Sequence, residues 1–147
     1  MTGSTVDSAA IALLVPHSGS MRLIDEVVAW DTLTIHCRTL SHLSPAHPLR
    51  SGGGLGALHL VEYGAQAMAI HGGLEARSRG GSVLPGMLAS VRDLRLQVER
   101  IDDLGAALDL HARQLLARED GWLYEFSASC GARTLATGRV IVMLGKP

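Results

Sequence analysis

The hydrophobic and polar positions of the chain predict one central helix between runs that are typical of strands. Between Leu55 and Ile70 nearly every position is apolar or small, no proline interrupts the segment, and glycines flank it on both sides. This pattern predicts a helix without a solvent face that ends at the glycine pair 72–73. The following segment 74–81, with two arginines and paired glycines, predicts a surface loop.

Strand patterns lie on both sides of this helix. Two runs, 22–30 and 32–40, meet at Asp31 and predict an antiparallel pair. Two strands, one buried helix and four more strands predict an α+β fold in which a curved antiparallel sheet wraps around the helix. The four later runs, separated by turn-forming breaks, are Met87 to Val98, Ala106 to Arg118, Trp122 to Cys130 and Thr134 to Leu144.

Length, charge and cysteine content narrow the class of protein. A chain of 147 residues suits one domain, which we expect to span residues 1–147. The net charge of −1 argues against a nucleic-acid partner and against binding to a membrane surface. No run has the length of a membrane span, and the N-terminus lacks a signal-peptide pattern, so we expect a cytoplasmic protein. Cys37 and Cys130 lie far apart without a C-x-x-C pattern, which predicts neither a zinc site nor a disulfide framework.

The central helix carries a polar stripe that its apolar surroundings do not explain. His59, Glu62, Tyr63 and Gln66 recur at helical spacing and are expected on one face. A polar stripe on a buried helix is typical of a cavity wall, and a buried carboxylate there is paired, protonated or functional. A salt bridge or a hydrogen bond to the backbone is the structural alternative for Glu62.

A histidine in the preceding loop completes a candidate acid–base pair. His47 lies 15 residues before Glu62. An imidazole with a pKa near the operating pH removes a proton, and a buried carboxyl donates one. Gln66, one helical turn beyond Glu62, is expected to orient the carboxyl without adding charge. No pair of histidines is spaced with an acidic residue as a convincing metal site, so we predict no metal.

The glycine run before the helix is a candidate oxyanion site. Free backbone N–H groups from Gly54 through Leu55 to Gly56, at a helix start, are expected to stabilise the negative charge that develops on a thioester oxygen. A plain flexible loop is the alternative interpretation. The run does not fit the G-x-G-x-x-G pattern and lacks the lysine of a Walker loop, which disfavours nucleotide binding.

The predicted sheet leaves edges that need protection. Joining the edge strands of two copies would form a continuous sheet with both helices on one side. The architecture therefore predicts a dimer.

Four motifs together resemble the hotdog-fold 3-hydroxyacyl-[acyl-carrier-protein] dehydratases. The segment 14–27, Leu-Val-Pro-His-Ser-Gly-Ser-Met-Arg-Leu-Ile-Asp-Glu-Val, is similar to their Pro-His opening, and 61–67, Val-Glu-Tyr-Gly-Ala-Gln-Ala, is similar to the start of their central helix. The segments 84–94 and 135–140 continue the likeness, in particular to the predicted dehydratases of aryl-polyene-type pigment pathways. The motifs together cover most of the chain, and they follow the order and spacing of the family.

The resemblance implies a homodimer, or a heterodimer with a related dehydratase, with active sites at the dimer interface. It also implies a substrate carried on the phosphopantetheine arm of an acyl carrier protein, with no bound cofactor. In the family a loop histidine removes the C2 proton and a helix glutamate from the partner subunit assists loss of the 3-hydroxyl. Glu62 matches the glutamate and His47 is the nearest match to the histidine. The usual Gly-His-Phe-Pro-Gly has become Ala-His-Pro-Leu-Arg at 46–50, so His17 and His59 are further candidates.

Three functions follow from these expectations. The first is dehydration of a 3-hydroxyacyl thioester on acyl carrier protein to the trans-2-enoyl thioester, with His47 as base and Glu62 as acid. The second is a hotdog thioesterase in which Glu62 activates water. The third is a non-catalytic helper subunit of a dehydratase complex, which the altered histidine loop favours.

Overall fold

The computed structural model describes residues 22–81 and 86–145, which form one antiparallel sheet and one long helix. The predicted α+β arrangement is confirmed. Two strands come first, then a one-turn 3₁₀ segment at Ala57–His59 leads into the helix, and four strands follow. The elements are β1 (Glu26–Trp30), β2 (Thr34–Thr39), α1 (Leu60–Ser78), β3 (Gly86–Leu96), β4 (Leu108–Arg118), β5 (Gly121–Cys130) and β6 (Arg133–Leu144).

The sheet has the strand order β1-β2-β4-β5-β6-β3, so β1 and β3 are its edges. Strict alternation of buried and half-buried residues along β2 and β5 directs every second side chain toward the helix. The core between sheet and helix contains Tyr124 and Phe126 from β5, together with Met68 and Ile70 from the helix.

Local turn chemistry fixes the first hairpin. The Asp31 carboxylate accepts hydrogen bonds from the backbone N–H groups of Leu33 and Thr34, at 2.9 and 2.8 Å, and from the Thr34 hydroxyl at 3.0 Å. These donors hold the pKa of Asp31 below its usual range. The aspartate at the join between the two predicted strands therefore closes the turn, as such residues commonly do.

The helix lies later in the chain than the pattern predicts. It runs from Leu60 to Ser78 rather than from Leu55 to the glycine pair 72–73, and residues 74–78 belong to it instead of forming a surface loop. The expected stop at 72–73 is wrong because both glycines are buried within the helix, and Gly72 lies against Trp122 of the sheet. A Cβ atom on Gly72 would lie 2.0 Å from the Trp122 ring, so this glycine permits close packing. Gly80, with a φ of +77°, ends the helix instead.

His71 is one of the buried polar residues of the helix. It lies in the interior of α1, fully buried, where its Nδ1 faces the Tyr124 hydroxyl at 2.5 Å and its Nε2 donates to the Asp31 carbonyl at 2.8 Å. Burial lowers the pKa of this imidazole, so it is held neutral.

One strip of the helix is not covered by the described residues. Leu58 is 60% exposed, and Val61, Glu62, Ala65 and Ala69 along the same side are half-buried. The expectation of a helix without a solvent face is therefore wrong for the single chain, because the sheet covers one side only. Apart from Glu62 the strip is apolar.

The edge strand β3 is similarly uncovered. Its residues are exposed or half-buried throughout, and Met87 is 69% exposed. A long unpaired edge with apolar side chains is typical of a strand that pairs with another chain. Within the described ranges, no helix is long and apolar enough to cross a membrane.

Candidate active site

The loop between β2 and α1 carries His47 into the interior. A 3₁₀ turn at Ser41–Leu43 is followed by two tight turns, in which the His47 N–H donates to the Ser44 carbonyl and the Arg50 N–H donates to the His47 carbonyl. His47 is 5% exposed, and its ring lies against the Tyr63 ring with centroids 6.0 Å apart. The loop histidine and the polar stripe of the helix therefore do meet, at Tyr63.

The His47 imidazole belongs to a chain of hydrogen bonds. Its Nδ1 accepts from the Leu49 N–H at 3.1 Å, and its Nε2 lies 3.0 Å from the Tyr63 hydroxyl. That hydroxyl lies 2.8 Å from the Ser41 hydroxyl, which in turn donates to the Leu23 carbonyl at 2.7 Å. The four bonds connect the loop, the helix and the segment before β1.

Burial sets the charge state of this network. It lowers the pKa of the His47 imidazole, and the nearby charges of Arg50 and of two other histidines, one of which is His59, lower it further. Burial raises the pKa of Tyr63 to about 12, so its hydroxyl keeps its proton. Both groups are neutral near pH 7.

Glu62 lies on a different side of the helix from this network. Successive helical residues are separated by about 100°, so Glu62 points away from the side on which Tyr63 meets His47. Its side chain is half-buried in the uncovered apolar strip. Among the described residues, no hydrogen-bond or ion-pair partner is found for its carboxylate. The predicted polar stripe is thus divided, with Tyr63 and Gln66 inside and Glu62 at the open strip.

Gln66 ties the helix to the start of the sheet. It is 1% exposed, and its side-chain oxygen accepts a hydrogen bond from the Leu23 N–H at 2.8 Å. The predicted orientation of Glu62 by this amide stays a prediction.

The glycine run supplies fewer free N–H groups than the sequence suggests. The Gly54 N–H donates to the Ser51 carbonyl at 3.1 Å, and the Leu55 N–H donates to the Asp102 carboxylate at 2.9 Å. The Gly56 N–H has no acceptor among the described residues, and Gly56 is exposed. Of the three backbone N–H groups predicted to hold the thioester oxygen, that of Gly56 is therefore the available donor.

Asp102, in the connection between β3 and β4, anchors this glycine segment. Its carboxylate forms an ion pair with Arg100 and also holds the Leu55 N–H. These donors hold the pKa of Asp102 well below its usual range. The adjacent backbone pairs with residues 99 and 101, which fixes the direction in which the chain enters the helix.

The other predicted histidines have different positions. His59 is half-buried in the 3₁₀ turn before α1 and lies close enough to His47 to lower its pKa. His17 lies outside the described residues. Within the described part of the chain, no group of three or more His, Cys, Asp or Glu side chains is arranged to hold a metal ion.

Sequence reasoning missed Tyr63 as the partner of His47 and Ser41 as the partner of Tyr63. The helical spacing placed Tyr63 in the polar stripe, and a tyrosine on a buried helix face needs a partner for its hydroxyl. That requirement was the available signal, whereas the choice of Ser41 and His47 depends on how the loop folds back over the helix.

A separate cavity lies on the outer face of the sheet. Its volume is about 700 Å³, and it contains none of the predicted site residues. The charged groups around it balance in number. They are Arg95, Arg113 and Arg139 against Asp31, Asp93 and Glu125, with His36 and His111 beside them.

Comparisons with known proteins identify a related family and related structures. A family model described as ApeP dehydratase matches residues 9–146. Among solved structures, the dehydratase heterocomplex ApeI:P from Xenorhabdus doucetiae aligns with a TM-score of 0.84 and 26% identity, covering 92% of this chain and 91% of that chain. A comparison with curated protein sequences gave no significant match.

More distant structures share the fold alone. A hypothetical thioesterase with coenzyme A from Streptococcus pneumoniae TIGR4 aligns with a TM-score of 0.58 at 9% identity, covering 81% of this chain and 84% of that chain. The PaaI protein of the phenylacetic acid degradation operon of E. coli aligns with a TM-score of 0.57 at 10% identity, covering 82% and 78%. These alignments and the relative from Xenorhabdus doucetiae confirm the predicted hotdog fold.

Proposed function

The chain belongs to the family of ApeP-like dehydratases, and from this premise we propose that it takes part in dehydrating a 3-hydroxyacyl thioester on acyl carrier protein. The product is the trans-2-enoyl thioester. The observation that carries the proposal is the position of Glu62, a carboxylate on an apolar, half-buried helix strip, for which the described residues provide no partner. A dehydratase needs a proton donor in such surroundings.

The reaction divides into two proton transfers. A base removes a proton from C2, and the electron pair of that C–H bond forms the C2–C3 double bond as the C–O bond at C3 breaks. An acid gives its proton to the departing hydroxyl, which leaves as water. Negative charge develops on the thioester oxygen, where a preorganised N–H donor stabilises it.

Glu62 and His47 both match the family pattern by position. Of the two, Glu62 lies at the open strip and His47 is buried, so this chain offers Glu62 for one of the proton transfers. The exposed Gly56 N–H, at the entry to the helix, is the donor available for a thioester oxygen. No step requires a bound cofactor, since the phosphopantetheine arm is part of the substrate.

We further propose that a related dehydratase chain covers the open surfaces. The relative from Xenorhabdus doucetiae is described as part of a heterocomplex. In this chain the helix strip around Glu62 is apolar apart from that carboxylate, and the edge strand β3 exposes the apolar side chains of Met87 and Leu88. Such surfaces are expected where another subunit covers the chain. A second hotdog chain paired along β3 would place its own helix beside α1.

The mass of the acyl carrier protein tests the reaction. The chain is incubated, alone and with a related dehydratase subunit, with carrier protein bearing a series of 3-hydroxyacyl groups. Loss of one water from the carrier-bound acyl group is expected for the complex. Loss of the whole acyl group would instead indicate a thioesterase, and an unchanged mass in both samples would overturn the proposal.

A further inference from the structure

We propose that in the dehydratase assembly this chain contributes the acid, Glu62, while its own His47 is a structural residue and the base comes from the partner subunit. This inference rests on the proposed function. Of the two possible active sites in the pair of chains, the site that contains Glu62 of this chain is active. The site that would contain its His47 is not.

The hydrogen-bond chain around His47 fixes every proton in it. At one end the Leu23 carbonyl only accepts, so the Ser41 hydroxyl donates to it and must accept from the Tyr63 hydroxyl. At the other end the Leu49 N–H only donates, so the Nδ1 of His47 carries no proton. The ring proton is therefore on Nε2, which donates to Tyr63.

A histidine in this arrangement has no lone pair to offer a substrate. The Nδ1 lone pair faces the Leu49 N–H, and the Nε2 position is already protonated. To remove a proton from C2, the imidazole would first have to break one of these buried bonds. The ring is also 5% exposed, so the covering loop would have to move before a substrate could reach it.

The altered loop sequence explains why the His47 ring is hydrogen-bonded within its own turn. Pro48 follows the histidine and the Arg50 N–H closes a tight turn onto the His47 carbonyl. The side chain of the first residue then bonds the N–H two residues later, as asparagine and aspartate side chains do in such turns. The His47 ring thus stabilises its own turn and joins it to the helix through Tyr63.

Glu62 has the opposite surroundings. Among the described residues its carboxylate has no hydrogen-bond or ion-pair partner, and the apolar strip around it is not covered by them. A carboxylate held there is free to meet a substrate and a base on the partner's side of the interface. The His47 ring is therefore hydrogen-bonded on both nitrogens, whereas the Glu62 carboxylate has no partner among the described residues.

The test compares two variants in the complex with the partner subunit. In His47→Gln the side-chain amide retains an N–H donor for Tyr63 while abolishing any base. Removal of a general base costs about 10²–10⁴-fold in rate. The expected result is a dehydration rate within about tenfold of the parent for His47→Gln and a loss of about 10²-fold or more for Glu62→Gln.

The isolated chain gives an independent readout that does not need the variants to fold. Nitrogen-15 NMR of the histidine rings reports which nitrogen is protonated. We expect His47 as the neutral Nε2–H form, without a charge transition near 6.5, the ordinary pKa of a histidine, because burial lowers its pKa. A protonated Nδ1, or titration near that value, would overturn the inference.

The outcomes separate this inference from the proposed function. If the parent complex releases no water from the carrier-bound substrate, the proposed function fails. If the parent is active and His47→Gln loses as much rate as Glu62→Gln, the function stands and the structural role of His47 is wrong. An unaffected Glu62→Gln variant would remove the acid from this chain.

Discussion

Mild acid should destabilise this protein through its buried histidines. His42, His47 and His71 are at most 5% exposed, and burial lowers the pKa of each below the value of 6.5 that an unfolded chain shows. Below that value the unfolded chain binds protons that the folded chain does not. Stability is therefore fully present above pH 6.5 and is lost as the pH falls toward the lower folded values.

The size of the effect follows from the unfolded pKa. One histidine that stays neutral in the fold loses about 1.4 kcal/mol of stability at roughly one pH unit below its unfolded pKa, and three lose about 4 kcal/mol. This sum is an upper bound, reached when all three folded pKa values lie well below that pH. It is a large part of the roughly 5–15 kcal/mol of a typical domain.

Urea unfolding followed by tryptophan fluorescence measures the loss. We expect the free energy of unfolding of the isolated chain to fall between about pH 7.5 and about pH 5.5, by several kcal/mol at most. The control is His47→Gln, which should reduce the fall by about 1.4 kcal/mol because one proton-binding group is gone from the unfolded chain. Aspartates with lowered pKa values act below about pH 4, so they leave this window unaffected.

A stability that is constant or rises as the pH falls through this window would refute the reasoning. It would mean that the buried rings accept protons within the fold. The hydrogen-bond chain from Leu49 to Leu23 could then not have the single arrangement of protons on which the role of His47 depends.

Three further substitutions test separate parts of the fold. Gly72→Ala should destabilise the chain by about 1–3 kcal/mol in urea unfolding despite a better helix propensity, since its Cβ would lie 2.0 Å from the Trp122 ring; unchanged stability would contradict this packing. Tyr63→Phe should cost about 1–3 kcal/mol because the Nε2 proton of His47 loses its buried acceptor, and a neutral result would remove the hydrogen-bond chain. Met87→Lys should weaken association with a second chain in sedimentation, while changing the stability of the isolated chain by less than about 0.5 kcal/mol; unchanged association would exclude β3 as the interface.

The order of the secondary structure elements could be predicted because strand alternation is local. Each run of alternating residues corresponds to a strand, and Asp31 marks the first turn. The end of the helix could not be predicted in this way. Gly72 is a helix stop by local rules, but in the fold it is the position at which the Trp122 ring approaches the helix. Tertiary packing therefore overrides the propensity of a single residue.

The pattern of the sequence indicated which residues are candidates for the site. It did not indicate which of them lie together in the fold. Helical spacing placed Glu62 and Tyr63 in one stripe, although about 100° separates neighbouring residues on a helix. Only the course of the sheet decides which side is covered. The members of the hydrogen-bond chain around His47 likewise come from distant positions, since Ser41 reaches Tyr63 across 22 residues of sequence. No local pattern contains that contact.

The single-turnover rate of water loss for Glu62→Gln in the complex with the partner subunit tests the central claim most directly. The substitution keeps the size and hydrogen-bonding capacity of the side chain and removes its acidic proton. A rate at least about 10²-fold below that of the parent complex, with the thermal midpoint unchanged, is the predicted result. A rate equal to that of the parent would contradict the assignment of Glu62 as the proton donor that this chain brings to a dehydratase site.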